Sequence, residues 1–269
     1  MYNWNLLERP LPFTSGNLSL WSNEYIANNV IRRHLDGNVD SGSRKKETIL
    51  KASKWIASKI VDKGCILDIG CGPGLYADLL CNYGFRYYGI DVSHFQIEYA
   101  IKHHKSELAS FAVMDFRKFN PVNKYCGTIL LYAIYSLYNF EDRINLLKKI
   151  KNSLISGGMI IIEVFTKQHY INRKEVRDWE YVEKNGFWCQ TPYLELNAFY
   201  RYDDIDLYLV QAAMVQDDIY IWNAWTQTFT PDTLINELRI AGFMEFELYS
   251  TCTGEPYNDK SDVICVCAK

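Results

Sequence analysis

Between Lys63 and Phe165 short apolar runs alternate with stretches of helical period. That alternation restricts the chain more than any other feature, because it is how βα units lay down a parallel sheet. The first run, CILDI at 65–69, is apolar almost throughout, as suits a strand covered on both faces. It turns through glycines into a segment where Tyr76, Leu79, Leu80 and Tyr83 recur at helical spacing, and Gly84 stops it. RYYGID follows as a second strand. Ser93, with Gln96 three residues on, predicts a capping box that opens a helix through Ala100 and Ile101. FAVMD, GTILLY and MIIIEVF supply three more strands. A helix from about Glu141 to Leu154 separates the last two, ending before Gly157 and Gly158.

Beyond Phe165 the texture changes to aromatic, β-prone runs broken by Asp and Asn turns: GFWCQTPYLEL, AFYRYDD, DLYLVQAAMV and IYIWNAWTQTF. They predict an antiparallel sheet inserted at residues 166–226. Helical order returns at Thr230-Pro231-Asp232, an N-cap with proline in first position, and stops at Gly242 before two closing strands. The core is therefore expected to comprise 61–165 and 227–269. Residues 1–60 hold a helix with Ile49, Ala52, Ile56 and Ile60 on one face, read as a cap over the sheet's ligand edge.

A chain 48% hydrophobic and 23% charged has the balance of a water-soluble globule. No run approaches the ~18 apolar residues of a membrane span, and MYNWNLLERP lacks the pattern of a secretory signal, so a cytoplasmic location away from membranes is expected. The cysteines are scattered among apolar runs, as small hydrophobes in a reducing compartment are, and their spacing offers no metal site. A net charge of -3 argues against a nucleic-acid partner.

The chemistry concentrates in Asp68-Ile69-Gly70-Cys71-Gly72-Pro73-Gly74, where a buried strand turns straight into a helix and a ligand can approach bare backbone at a helix's positive end. A dinucleotide loop spaces its glycines G-x-G-x-x-G; this one is G-x-G-x-G, one residue short. The segment resembles the first motif of class I S-adenosylmethionine-dependent methyltransferases. The likeness spans Lys63 to Phe165 and resumes from Thr230. It extends to a subgroup of bacterial small-molecule-type enzymes whose substrates are mostly unassigned. It implies a Rossmann-like α/β fold: a mostly parallel seven-stranded sheet with helices on both faces, plus the inserted antiparallel β lid.

The resemblance further implies a site for S-adenosyl-L-methionine, leaving S-adenosyl-L-homocysteine after transfer. Asp68, Gly70, Cys71, Gly72 and Gly74 would line it. Asp91 and Val92 end the second strand, where an acid takes the ribose hydroxyls, although Asp91 alone would also serve as a helix cap. Asp115 and Phe116 match the pair that recognises the adenine amino group and covers the ring, and Leu131 lies beside the methyl-bearing region. Arg44 has the charge to pair with the cofactor's carboxylate, or stands in a solvated cluster with Lys45.

In such an enzyme the cofactor carries the reactive group and the protein aligns a nucleophile with it. The acceptor is expected to be a small molecule attacking through N, O or S. LYAIY at 131–135 departs from the Asn- or Asp-Pro-Pro-Tyr run of amino-methyltransferases of the DNA or glutamine type, so the acceptor is not identified. Candidate catalytic residues are Glu163, His169 and Tyr132; Glu163 is equally suited to a scaffold pair. Tyr135, Trp188, Tyr200, Trp222 and Trp225 are candidate acceptor contacts, a role that competes with plain packing of aromatics. Two other readings stay open: a non-catalytic S-adenosylmethionine-binding protein, and a nicotinamide-dependent oxidoreductase. Both a monomer and a homodimer fit.

Overall fold

A strand with no polar face has to be covered from both sides, and the central sheet meets that demand with two separate apolar layers. The computed structural model describes residues 2–21, 23–121 and 124–269. Helices α1 (Glu24–Leu35) and α2 (Lys46–Lys59) precede the sheet. The core then runs β1 (Cys65–Ile69), α3 (Ala77–Asn82), β2 (Arg86–Asp91), α4 (His94–His103), β3 (Ala109–Val113), β4 (Tyr125–Leu130), α5 (Phe140–Ser153) and β5 (Leu154–Phe165). The inserted strands are β6 (Val176–Val182), β7 (Tyr193–Tyr202), β8 (Leu207–Val215) and β9 (Ile219–Gln227). After them come α6 (Pro231–Ile240), β10 (Phe246–Tyr249) and β11 (Val263–Ala268).

The seven core strands lie in the order β10-β11-β5-β4-β1-β2-β3. β1 to β5 are parallel, and β11 runs antiparallel between β5 and β10. Alternation sorts the side chains: Leu67, Leu130, Ile160 and Ile162 pack with Leu147 and Ile150 of α5 and Leu234 and Leu238 of α6. Ile66, Ile129 and Ile161 pack on the other side with α2, Leu80 of α3 and Ile97 of α4. Strand order reverses between β1 and β4, and the crevice beyond their carboxyl ends is where open α/β sheets bind ligands.

Several expectations shift. Ile49, Ala52, Ile56 and Ile60 pack into the layer under the sheet, so α2 belongs to the core and it is α1 that approaches the ligand edge. Only half of the capping box forms: the Ser93 hydroxyl accepts from the Gln96 N–H, whereas the buried Gln96 side-chain amide has no partner among the described residues. YLEL and AFYRY are one strand, β7, with GFWCQ in the loop before it. β6 comes from VRDWEYV, an edge strand exposed almost throughout and so lacking an apolar alternation to read.

Register gives the inserted sheet two distinct faces. Tyr200, Leu209 and Trp225 stand in line, as do Leu196, Ala213 and Ile221. The N-terminal segment covers this outer face with Leu6, Leu7 and Phe13, while Thr14 O accepts from Trp225 Nε1 at 2.8 Å. The inner face carries Met214 and Trp222, packed with Trp188 against Leu20 and Ile26 at the start of α1. Phe199 and Tyr208 on the same face pack on Tyr170, which follows β5. No helix among the described residues is long and apolar enough to cross a membrane.

Behind the sheet, Arg143 of α5 grips Glu237 of α6 at 2.6 and 2.9 Å, and the Tyr135 hydroxyl donates to the same carboxylate at 2.5 Å. Both charges are buried, so removing one strands the other. Glu237→Ala is expected to lower stability by about 3–5 kcal/mol, read as a reduced midpoint in urea unfolding.

Candidate active site

Parallel pairing of β1 with β2 sets Ile69 beside Ile90, so the glycine loop leaves β1 level with the end of β2. The N–H groups of Gly70 and Cys71 both donate to Ile90 O, at 2.8 and 3.1 Å. The next free N–H, of Gly72, donates to Asp91 Oδ2 at 3.0 Å, and Asp91 Oδ1 accepts from Ser93 N–H at 2.9 Å. One carboxylate thus ties the loop to the entry of α4, whose N-cap is Ser93 and not Asp91. Burial raises the pKa of Asp91, against these hydrogen bonds. Gly70 and Gly72 sit at φ +75 and +53; a Cβ on Gly70 would stand 2.7 Å from Ile134, and one on Gly72 would face the His34 imidazole at 3.5 Å. Burial pushes the pKa of His34, at the end of α1, down to about 4, so a neutral ring overlies the loop at neutral pH.

Asp68 lies beneath the loop rather than in it: it is buried and accepts from Tyr87 Oη at 2.5 Å. Burial raises its pKa to about 7 despite that bond. Cys71 is buried against Gly89, Val92 is exposed, and Gly74 lies under His104 and Phe111. Asp115 is clamped by Arg117 at 2.6–3.1 Å, while Phe116 is buried edge-on to Tyr138. Glycine loop, Asp91 and Phe116 stand at successive strand ends, a set of close-approach backbone, carboxylate and ring that fits an adenosyl group.

At the end of β4 two successive non-glycine residues, Tyr132 and Ala133, are left-handed, at φ 52 and 58. Such positions cost about 1–3 kcal/mol each and persist only where the surroundings enforce them. Glu163 does so: Tyr132 N–H donates to its Oε2 at 2.7 Å and Ala133 N–H to its backbone O at 3.1 Å. Its Oε1 is held by Arg44 Nε and Nη2 at 3.1 and 2.7 Å. Burial alone would lower the pKa of Arg44, but the charge and hydrogen bond of Glu163 outweigh it and raise it.

These bonds bear on two expectations. Arg44 is paired with Glu163 and does not stand in a solvated cluster, and Glu163 accepts on both oxygens, from Arg44 and from the Tyr132 N–H. Tyr135, fully buried on Glu237, lies behind the sheet and not in the acceptor space. Tyr200 and Trp225 lie on the outer face of the insert under the N-terminal segment, whereas Trp188 and Trp222 share the inner side, their rings 5.5 Å apart. His169 stacks on Phe165 at 3.8 Å, with Asp262 3.6 Å from its Nδ1. Phe165 adjoins Tyr132 and Leu131 is half-buried there, so His169 stands at the rim of this edge. Sequence reasoning missed His34, whose only signal was its place near the end of a weakly marked helix. Among the described residues no three His, Cys, Asp or Glu gather as a metal site.

A family described as methyltransferase domain matches residues 42–209, more than half of the chain. The chain belongs to the methyltransferase domain family. S-adenosylmethionine is the cofactor that goes with it, and the nicotinamide alternative falls away. The methyltransferase is 30% identical over 126 residues to juvenile hormone acid O-methyltransferase of Bombyx mori, a match covering 44% of this chain and 45% of that one. It thus spans about half the length of the curated relatives it matches. Among solved structures, an S-adenosylmethionine-dependent methyltransferase from Clostridium acetobutylicum superposes with a TM-score of 0.66 at 16% identity, covering 92% of this chain and 99% of that one. The sugar N-methyltransferase KedS8 from a Streptoalloteichus species does so with a TM-score of 0.64 at 13% identity, covering 97% and 99%. At such identities these two likenesses establish the shared fold.

Two substitutions test the cofactor site of this methyltransferase. Gly72→Val puts a branched side chain at a left-handed position under His34 and is expected to abolish S-adenosylmethionine binding in calorimetry while the circular dichroism spectrum holds. Asp91→Ala is expected to weaken that binding by about 1.5–3 kcal/mol, the worth of charged hydrogen bonds to the ribose; an unchanged affinity would leave Asp91 as a loop tie alone.

Proposed function

We propose that this methyltransferase transfers the methyl group of S-adenosylmethionine to an amine nitrogen of a small-molecule acceptor, held between the carboxyl edge of the core sheet and the inner face of the insert. When bound, S-adenosylmethionine supplies an electrophilic methyl on a sulfonium. The residues proposed to hold it are the loop at Gly70, Cys71 and Gly72, Asp91 at the ribose, and Val92, Asp115 and Phe116 around the adenine. Trp188 and Trp222 offer the acceptor an apolar wall, and α1 with His34 keeps bulk water from the reacting edge.

The observation that favours an acceptor which must lose a proton, taken here as an amine, over a thiolate is the His169 and Asp262 pair at the rim of that edge. An amine arrives mostly as an ammonium and attacks only after losing a proton, so its methylation calls for a proton acceptor; a thiolate's does not. Burial lowers the pKa of His169, with Asp262 opposing, so the ring is neutral at neutral pH and its orientation is braced by a carboxylate. The His169 imidazole would take the proton that the acceptor's ammonium has to lose before its nitrogen can attack, the methyl group being what bound S-adenosylmethionine would supply. The likeness to a sugar N-methyltransferase along nearly the whole chain supports the same reading.

The test is release of S-adenosylhomocysteine with matched amino sugars, alcohols and carboxylic acids. Turnover of the amines alone is expected; turnover confined to acids or alcohols would sink the amine assignment. Because the pKa of His169 is lowered, kcat/KM should hold from neutral pH down to below about 6.5 before falling. In His169→Ala it should drop about 10²-fold at neutral pH and recover as rising pH deprotonates the amine itself.

A further inference from the structure

Glu163 does two jobs with two oxygens, and they belong to distant parts of the chain. Oε2 takes the N–H of Tyr132, fixing the left-handed turn at the end of β4. Oε1 takes the fork of Arg44, which follows α1 and lies 119 residues away in sequence. The carboxylate is 3% exposed, on β5 with β4 on one side and β11 on the other, so its position is set by the sheet. The Arg44 guanidinium lies 5.1 Å from the Tyr132 ring centre and 5.9 Å from that of Phe165. The segment after α1 therefore rests on the same turn that Glu163 shapes. Glycine would take φ 52 and 58 freely, yet the chain places Tyr and Ala there. The conformation has to be supported from outside, and Glu163 gives two of the supports, its Oε2 to the Tyr132 N–H and its backbone O to the Ala133 N–H.

We propose that Glu163 is a positioning residue for methyl transfer: it holds the Tyr132-Ala133 turn in its left-handed form and, through Arg44, locks the segment after α1 onto that turn. The reacting edge and its cover are thereby ordered together. The role rests on the reading that transfer takes place at the end of β4. It differs from that of a base: Glu163 moves no proton and touches no substrate, and its effect reaches the reaction only through backbone geometry.

The distinguishing substitution is Glu163→Gln, which preserves size but has one acceptor oxygen for two donors, so the amide NH2 must confront either Arg44 or Tyr132 N–H. Misplacement of the turn should lower kcat by about 10²-fold, with KM for S-adenosylmethionine moving far less. Adding Ala133→Gly lets the backbone adopt positive φ unaided and should restore about tenfold of the lost kcat, although it returns no carboxylate. Arg44→Lys keeps the charge and loses the fork, and should chiefly weaken cofactor binding by freeing the cover.

Hydrogen exchange at the Tyr132 amide, read in the full chain without acceptor, stands apart from the amine assignment. It should accelerate at least about tenfold in Glu163→Gln, as expected when a half-buried amide loses its carboxylate acceptor. Unchanged exchange there would overturn the proposal, and so would a Glu163→Gln enzyme whose kcat Ala133→Gly fails to raise, since a proton-transfer role cannot be repaired by a glycine.

Discussion

The site depends on one contact, the Gly72 N–H on the Asp91 carboxylate. Parallel pairing of β1 and β2 delivers the two residues to the same level, and the Gly70 and Cys71 N–H groups on Ile90 O fix the first part of the loop but not Gly72. Asp91 fixes Gly72 by binding the loop with one oxygen and the entry to α4 with the other. A carboxylate fixed in this way still has lone pairs to offer a ligand. The penalty of sinking a charge there, visible in its raised pKa, is tolerated because the backbone N–H groups are in place before any ligand arrives.

A second carboxylate repeats the device across the crevice. Glu163 fixes the end of β4 as Asp91 fixes the end of β1, and both carboxylates accept from backbone N–H groups in loops that lead out of the sheet. The loops at the strand-order reversal are anchored on rigid strands, and it is outside such a reversal that open α/β sheets bind ligands. Asp68 shows the contrasting case. Deep in β1 it accepts from the Tyr87 hydroxyl, and burial raises its pKa to about 7.

How much could be read without coordinates follows from where the signal sits. The core strands were legible because burial on both faces leaves no ambiguity about what an apolar run such as MIIIEVF must do. The glycine loop was legible because its spacing is local. The clasp was not: Arg44 and Glu163 meet only through tertiary structure, and nothing near either residue names the other. The insert shows a subtler limit. Trp222 and Trp225 looked alike as aromatic candidates, yet in a strand a separation of three places them on opposite faces, one toward α1 and one under Phe13. That consequence follows from period two once the strand is granted, but which face meets the core depends on the N-terminal segment wrapping the outside.

The choice of residues at the end of β4 carries the last step. If the turn were wanted only for its shape, glycine would give it at less strain in the folded state. Glycine would also leave the reacting edge without the ring on which Arg44 and Phe165 pack, and would widen the conformational freedom that folding must remove. Keeping Tyr132 secures the side chain at the cost of a strained backbone, and the strain is bearable because Glu163 is buried in the sheet and cannot yield. The requirement for a side chain at one position thus accounts for a carboxylate 31 residues later, and the carboxylate in turn accounts for an arginine 119 residues before it that satisfies its remaining oxygen.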